Sequence, residues 1–150
     1  MHVTMRPLLP VLGLLALSAP QAAASEGEIE LVRYMSSLQY FAHKTGLAID
    51  AGNARLAGFY AHEMEEMIER VEAVEEYDGH PVGDLTRSIL VPAFEDLEEA
   101  VDSGDPGRMS AGFDGLVKQC NACHEATDHA YIRIRKTAGN PYLQSFDPLP

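Results

Sequence analysis

Gln119–Asp128 reads QCNACHEATD and holds both cysteines of a 150-residue chain, Cys120 and Cys123, with His124 directly after the second. Two thiols one helical turn apart beside an imidazole meet the requirement for covalent haem: the thiols add to the vinyl groups and the histidine lies under the iron. Zinc needs about two further ligands, and no second Cys/His pair is spaced to supply them. A thioredoxin-like dithiol expects a βαβ setting, and a disulfide within CxxC would be strained and close almost no loop. The motif therefore favours one haem c, with a redox dithiol as the alternative.

Outward from the motif the chain is patterned for helices. Leu31, Met35, Leu38, Ala42, Thr45 and Ile49 recur at steps of four and three, a stripe on one helical face that ends at Ala51-Gly52. Ser25 and Glu28 form an S-x-x-E capping box at its start. Asn53 caps a second segment, with Leu56, Tyr60, Met64, Met67, Val71 and Val74 inward and a stop at Asp78-Gly79. Asp84 caps a third, carrying Leu85, Ile89, Phe94, Leu97 and Val101; Pro92 predicts a kink or a broken first part. Asp105-Pro106 opens a fourth, with Met109, Phe113, Leu116, Val117 and Cys120 inward. Strand alternation is confined to AYIRIR at 130–135, and the tail AGNPYLQSFDPLP is Pro-rich, with Tyr142 and Phe146 as anchors. The expected fold is all-α: an antiparallel four-helix bundle with an irregular Pro-rich C-terminal tail. Residues 25–136 form the helical domain and 137–150 the tail.

The N-terminus places the chain. Arg6, the short apolar run LLPVLGLLALSA and the small-residue site before Ser25 read as a signal peptide over residues 1–24. The run is too short to span a bilayer, so export to a periplasm is expected. Removing those residues leaves 10 basic against 23 acidic side chains, a formal charge of −13. That surface disfavours nucleic acid and anionic lipid, and it suits partners with basic docking patches.

The stretch FEDLEEAVDSGDPGRMSAGFDGLVKQCNACH, with the Gly-Asp turn before the last helix and Phe113 ahead of Cys120, resembles the class II c-type cytochromes, the cytochrome c′ group. Similarity extends over about residues 27–130, with its specific motifs on the last helix. The resemblance implies a four-helix bundle with haem attached through Cys120 and Cys123 and ligated by His124. It departs after His124, where EATDHAYIRIRKTAGNPY replaces a basic helical continuation. It also implies that a first-helix residue occupies or blocks the sixth iron position. Met35 is the candidate ligand, with Leu38 as the blocker one turn on and Met64, Met67 and His62 as other donors. Arg33 stands where the family contacts a propionate; Lys118 is a second candidate. Many class II relatives form homodimers through their first two helices.

Other polar residues have positions that the stripe geometry sets. His43 falls at the stripe's boundary, His62 on the surface, and Glu63 at an edge that reaches solvent. His129 is close enough in sequence to orient His124 or a propionate. The expected function is periplasmic electron transfer by a non-enzymatic carrier; a five-coordinate haem protein that binds small gases such as nitric oxide is the alternative. Peroxide chemistry lacks a distal His–Arg pair.

Overall fold

Polar side chains cap two of the helices, and the longer helices each bury one face. A computed structural model describes residues 26–150; the expected signal peptide and the Ser25–Glu28 capping box lie outside the described residues. The chain is all-α, and no named strand occurs among the described residues. Helix α1 spans Glu26–Asp50 and α2 spans Ala54–Glu72. Asn53 joins them, its Oδ1 accepting from Leu56 N–H at 3.1 Å, which satisfies one of the free donors of the first turn. The stripe on α1 is buried at Leu31, Leu38, Ala42, Thr45 and Ile49, while Met35 is half-buried.

Helix α2 ends at Glu72, six residues short of the expected Asp78-Gly79 stop. Asp78 and Gly79 have φ of 48° and 78°, and Tyr77 and His80 exchange backbone hydrogen bonds of 2.9 and 3.0 Å across them. Two consecutive left-handed residues make a type I′ turn, which Asp-Gly favours and a helix cannot contain. The turn therefore belongs to the connection.

The next rod has three parts: α3, Val82–Leu85; a π-helical turn, Thr86–Leu90; and α4, Val91–Asp102. It begins two residues before the expected cap, because Pro81 rather than Asp84 occupies the N-cap position. The expected break at Pro92 takes the form of the π turn: Val91 N–H reaches back to Thr86 O. Proline has no N–H and its ring crowds the carbonyl four residues earlier, so the wider turn relieves that collision. Thr86 Oγ1 donates to Val82 O at 2.8 Å and Ser88 Oγ to Asp84 O at 2.8 Å.

Helix α5, Pro106–Ala126, starts at Asp105, whose Oδ1 accepts from Arg108 N–H at 2.7 Å. Met109, Phe113 and Leu116 point into the core shared with α1, α2 and α4. A Cβ at Gly46 would lie 2.7 Å from the Phe113 ring, so the missing side chain sets how closely α1 approaches α5. Beyond α5 the alternation AYIRIR forms no strand. Its backbone finds partners on α5 instead of on another strand.

The chain after Lys136 runs back over α1 and α2. Phe146 is buried in the main core, and Asn53 Nδ2 donates to Phe146 O at 3.1 Å. Lys44, only 8% exposed, donates to Gln144 Oε1 at 2.9 Å and Tyr60 Oη at 3.3 Å. Its Nζ also lies 4.7, 5.0 and 4.8 Å from the ring centres of Tyr40, Tyr60 and Tyr142. Burial would lower its pKa, but the Tyr40 and Tyr60 contacts outweigh it and hold the ammonium above its ordinary range. Phe146→Ala should cost about 3 kcal/mol by leaving a cavity, read as a lower urea midpoint with unchanged slope.

Candidate functional site

The last two turns of α5 carry Cys120, Asn121, Cys123 and His124, and the segment after it folds back against them. Asn121 is the hinge of this arrangement. Its Oδ1 accepts from Ile134 N–H at 2.8 Å, and its Nδ2 donates to Ile134 O at 2.9 Å and Val117 O at 2.9 Å. One side-chain amide thus gives Ile134 the paired donor and acceptor that a neighbouring strand would give. Two residues earlier, Ile132 O lies 2.8 Å from His124 Nδ1. A carbonyl can only accept, so Nδ1 carries the proton and Nε2 is left with its lone pair for a metal.

His124 and both cysteines line a cavity of about 300 Å³ whose walls are mainly apolar. Leu31, Met35 and Leu38 come from α1, Val82, Thr86 and Leu90 from the α3 and π segment, and Ile132 and Ile134 from the returning segment, residues 130–136, hereafter the strap. A second cavity, about 440 Å³, adjoins it through Ser36, Gln39, Ala42, Cys120 and Ile134. Its lining includes Arg133, Arg135 and Lys136 as well as His43, Asp50 and Tyr142. The combined space is apolar where His124 and the thiols sit and cationic at the other end. A porphyrin with an apolar ring and a carboxylate edge has that asymmetry, and the volumes lie in the range of ordinary cofactor sites. The residues present fit a covalently held haem.

Thiol chemistry separates this from the dithiol alternative. Cys120 and Cys123 are free and half-buried. Burial pushes the Cys120 thiol up to about 12, with the nearby Cys123 adding to it, and burial raises Cys123 as well. A working dithiol needs the opposite, a thiol pKa lowered toward neutrality. No three His, Cys, Asp or Glu side chains converge among the described residues, as a zinc site would need.

The expected residues divide clearly. Met35 shares the cavity of Cys120, Cys123 and His124, and Leu38 lies beside it. Met64 is fully buried in the helix core, Met67 packs against that core, and neither lines either cavity. His62 is exposed and pairs with Glu65 at 3.3 Å. Glu63 is half-buried. Arg33 and Lys118 are exposed and line neither cavity. His129 borders the apolar cavity with its ring tilted 47° to that of Tyr77, while the Ile132 carbonyl holds the His124 ring.

Sequence reasoning missed Asn121, Ile132, Ile134 and the cations of the strap. The available signal was AYIRIRK itself, where isoleucines alternate with basic residues in an otherwise acidic chain. Compared with known proteins, the chain matches no family model, no curated protein and no solved structure.

In the haem-free chain, alkylation of Cys120 should stay slow at neutral pH and accelerate only in strongly alkaline solution. The raised thiol pKa leaves little thiolate below it; a rate already at its plateau by pH 7 would point to a redox dithiol. Asn121→Ala should cost about 1–3 kcal/mol by stranding the Ile134 backbone groups, and should speed hydrogen exchange at Ile134 N–H.

Proposed function

We propose that this chain is a periplasmic, monohaem c-type electron carrier built as an antiparallel four-helix bundle with an irregular C-terminal tail. The observation that carries the reading is His124 Nδ1 held at 2.8 Å by Ile132 O, which frees Nε2 on the wall that both cysteines share. Short connections between packed neighbours, α1 with α2 and α4 with α5, support the antiparallel arrangement.

Bound through Cys120 and Cys123, haem c supplies a one-electron Fe(III)/Fe(II) couple. His124, its tautomer set by the Ile132 carbonyl, would hold the iron through Nε2. Met35 would offer a thioether from the α1 side of the cavity, a ligand that favours the ferrous state and a raised potential. Leu38, Leu90, Val82 and Ile134 form the apolar wall of that end. A low-dielectric, tightly packed surround limits what must reorganise when charge changes. The acidic exterior, formal charge −12 over the full chain, steers the protein to redox partners with basic docking patches and away from nucleic acid. An enzymatic role is not part of this reading. Homodimer formation through α1 and α2 belongs to the same reading and rests on the resemblance to class II cytochromes alone.

One observation favours a second reading. Met35 is only half-buried, whereas Leu38 on the same cavity is buried. If Leu38 closes the α1 side, no thioether reaches the sixth position and the protein binds small gases such as nitric oxide.

The two readings separate on the spectrum of the purified holoprotein. The carrier should show the red ferric charge-transfer band of an iron–thioether bond, lose it in Met35→Leu, and resist carbon monoxide when ferrous. Absence of the band with ready carbon monoxide binding assigns the gas-binding role. His124→Ala should fail to mature or lose the low-spin spectrum.

A further inference from the structure

The alternating segment Ile132-Arg133-Ile134-Arg135-Lys136 separates two environments. Ile132 and Ile134 line the apolar cavity beside His124, while Arg133, Arg135 and Lys136 line the adjoining one. These three cations come from one short stretch of a chain with 11 Lys and Arg in total. Asp50 is the only acidic residue among that cavity's lining. The segment is not a loose tail here, because Asn121 fixes both backbone groups of Ile134 at 2.8 and 2.9 Å.

Two of the cations already have partners. Arg133 reaches Glu125 at 3.4 Å and Lys136 reaches Asp114 at 3.1 Å. The Arg133 pair is largely exposed, and exposed pairs hold their side chains weakly, so Arg133 can turn toward a better anion. Lys136, whose Nζ also reaches Ser110 Oγ at 3.4 Å and lies 5.7 Å from the Phe113 ring centre, keeps its charge at the cavity wall.

An independent observation points the same way. His43 lines this cavity, and its Nε2 is buried without a hydrogen-bond partner. Its Nδ1 lies 3.0 Å from the Tyr142 hydroxyl. That hydroxyl has no other acceptor within reach among the described residues, so its O–H donates to Nδ1. The remaining ring nitrogen is then an N–H donor with nothing to accept from it, a costly state that an acceptor oxygen would relieve. Three cations and one orphaned donor around one space describe a carboxylate site.

Resting on the haem reading above, we infer that the strap residues Arg133, Arg135 and Lys136, with His43, receive the haem propionates, in place of Arg33 on α1. Two carboxylates added to an acidic protein need positive charge nearby. The cationic cavity shares Cys120 with the apolar one, so a group attached at Cys120 extends into it without leaving the site. Arg133 and Arg135 offer planar donor pairs suited to carboxylates.

The test uses the mature holoprotein and the variants Arg135→Gln, Arg135→Lys and Arg33→Gln. Haem retained on a denaturing gel is scored first, and its absence in the wild type overturns the haem reading itself. With haem in place, Arg135→Gln should shift the propionate-bending band in resonance Raman and lower the midpoint potential, since a lost cation favours Fe(III). Arg135→Lys should restore the midpoint while leaving the band altered. Arg33→Gln should change neither. A Raman and potential shift in Arg33→Gln with none in Arg135→Gln overturns the assignment, as does the absence of a shift in every variant. If Arg135→Gln fails to mature, Lys136→Gln is read by the same two measurements.

Discussion

The hydrogen bond between His124 Nδ1 and Ile132 O, 2.8 Å long, is the contact on which the site depends. Imidazole can present either nitrogen to a metal, and a CxxCH sequence alone does not choose. The carbonyl chooses, and it can do so only because the strap is held in register two residues further on by Asn121. Asn121 lies between the two cysteines, so the turn that carries the thiols also holds the element that orients the histidine. Such outer contacts commonly set ligand basicity and ring orientation. Local failure of the strap would change the site without unfolding the helices.

The helices supply the walls, and their geometry follows from a few constraints. Gly46 lets α1 come close to Phe113 on α5, which brings the Leu31–Met35–Leu38 stripe opposite the cysteines. Pro92 drives a π turn, and the residues of that turn that face inward, Thr86 and Leu90, end on the apolar cavity. At the far end of α1, the buried Lys44 ammonium sits among three tyrosine rings and Gln144. That contact, with the buried Phe146, ties the last residues to α1 and α2.

Much of this was legible in the sequence, for a physical reason. Caps at Asn53 and Asp105, the α1 stripe and the inward face of α5 are local patterns, set by residues within a few positions of one another. The helix-to-connection boundary at Glu72 was not, because the tight Asp78-Gly79 turn needs chain on both sides to pair. The strap was the larger omission. Asn121 meets Ile134 across 13 residues and Lys44 meets Gln144 across 100, and coil carries no periodicity from which such partners can be read. Arg33 was chosen by resemblance to a family whose chain ends differently, whereas the cavity lining draws its cations from residues 133–136. Met35 is the intermediate case: its stripe position puts it on the cavity that Cys120, Cys123 and His124 line, half-buried where Leu38 is buried.

The proposed function rests on one haem held by Cys120 and Cys123 through thioether bonds. Tandem mass spectrometry of the tryptic peptide Gln119–Arg133, from protein produced in a periplasm competent for haem attachment, tests it most directly. The expected result is a peptide heavier by one haem, with fragments that locate it on both cysteines. A peptide of unmodified mass with two free thiols, or one lighter by two hydrogens from a Cys120–Cys123 disulfide, would contradict it.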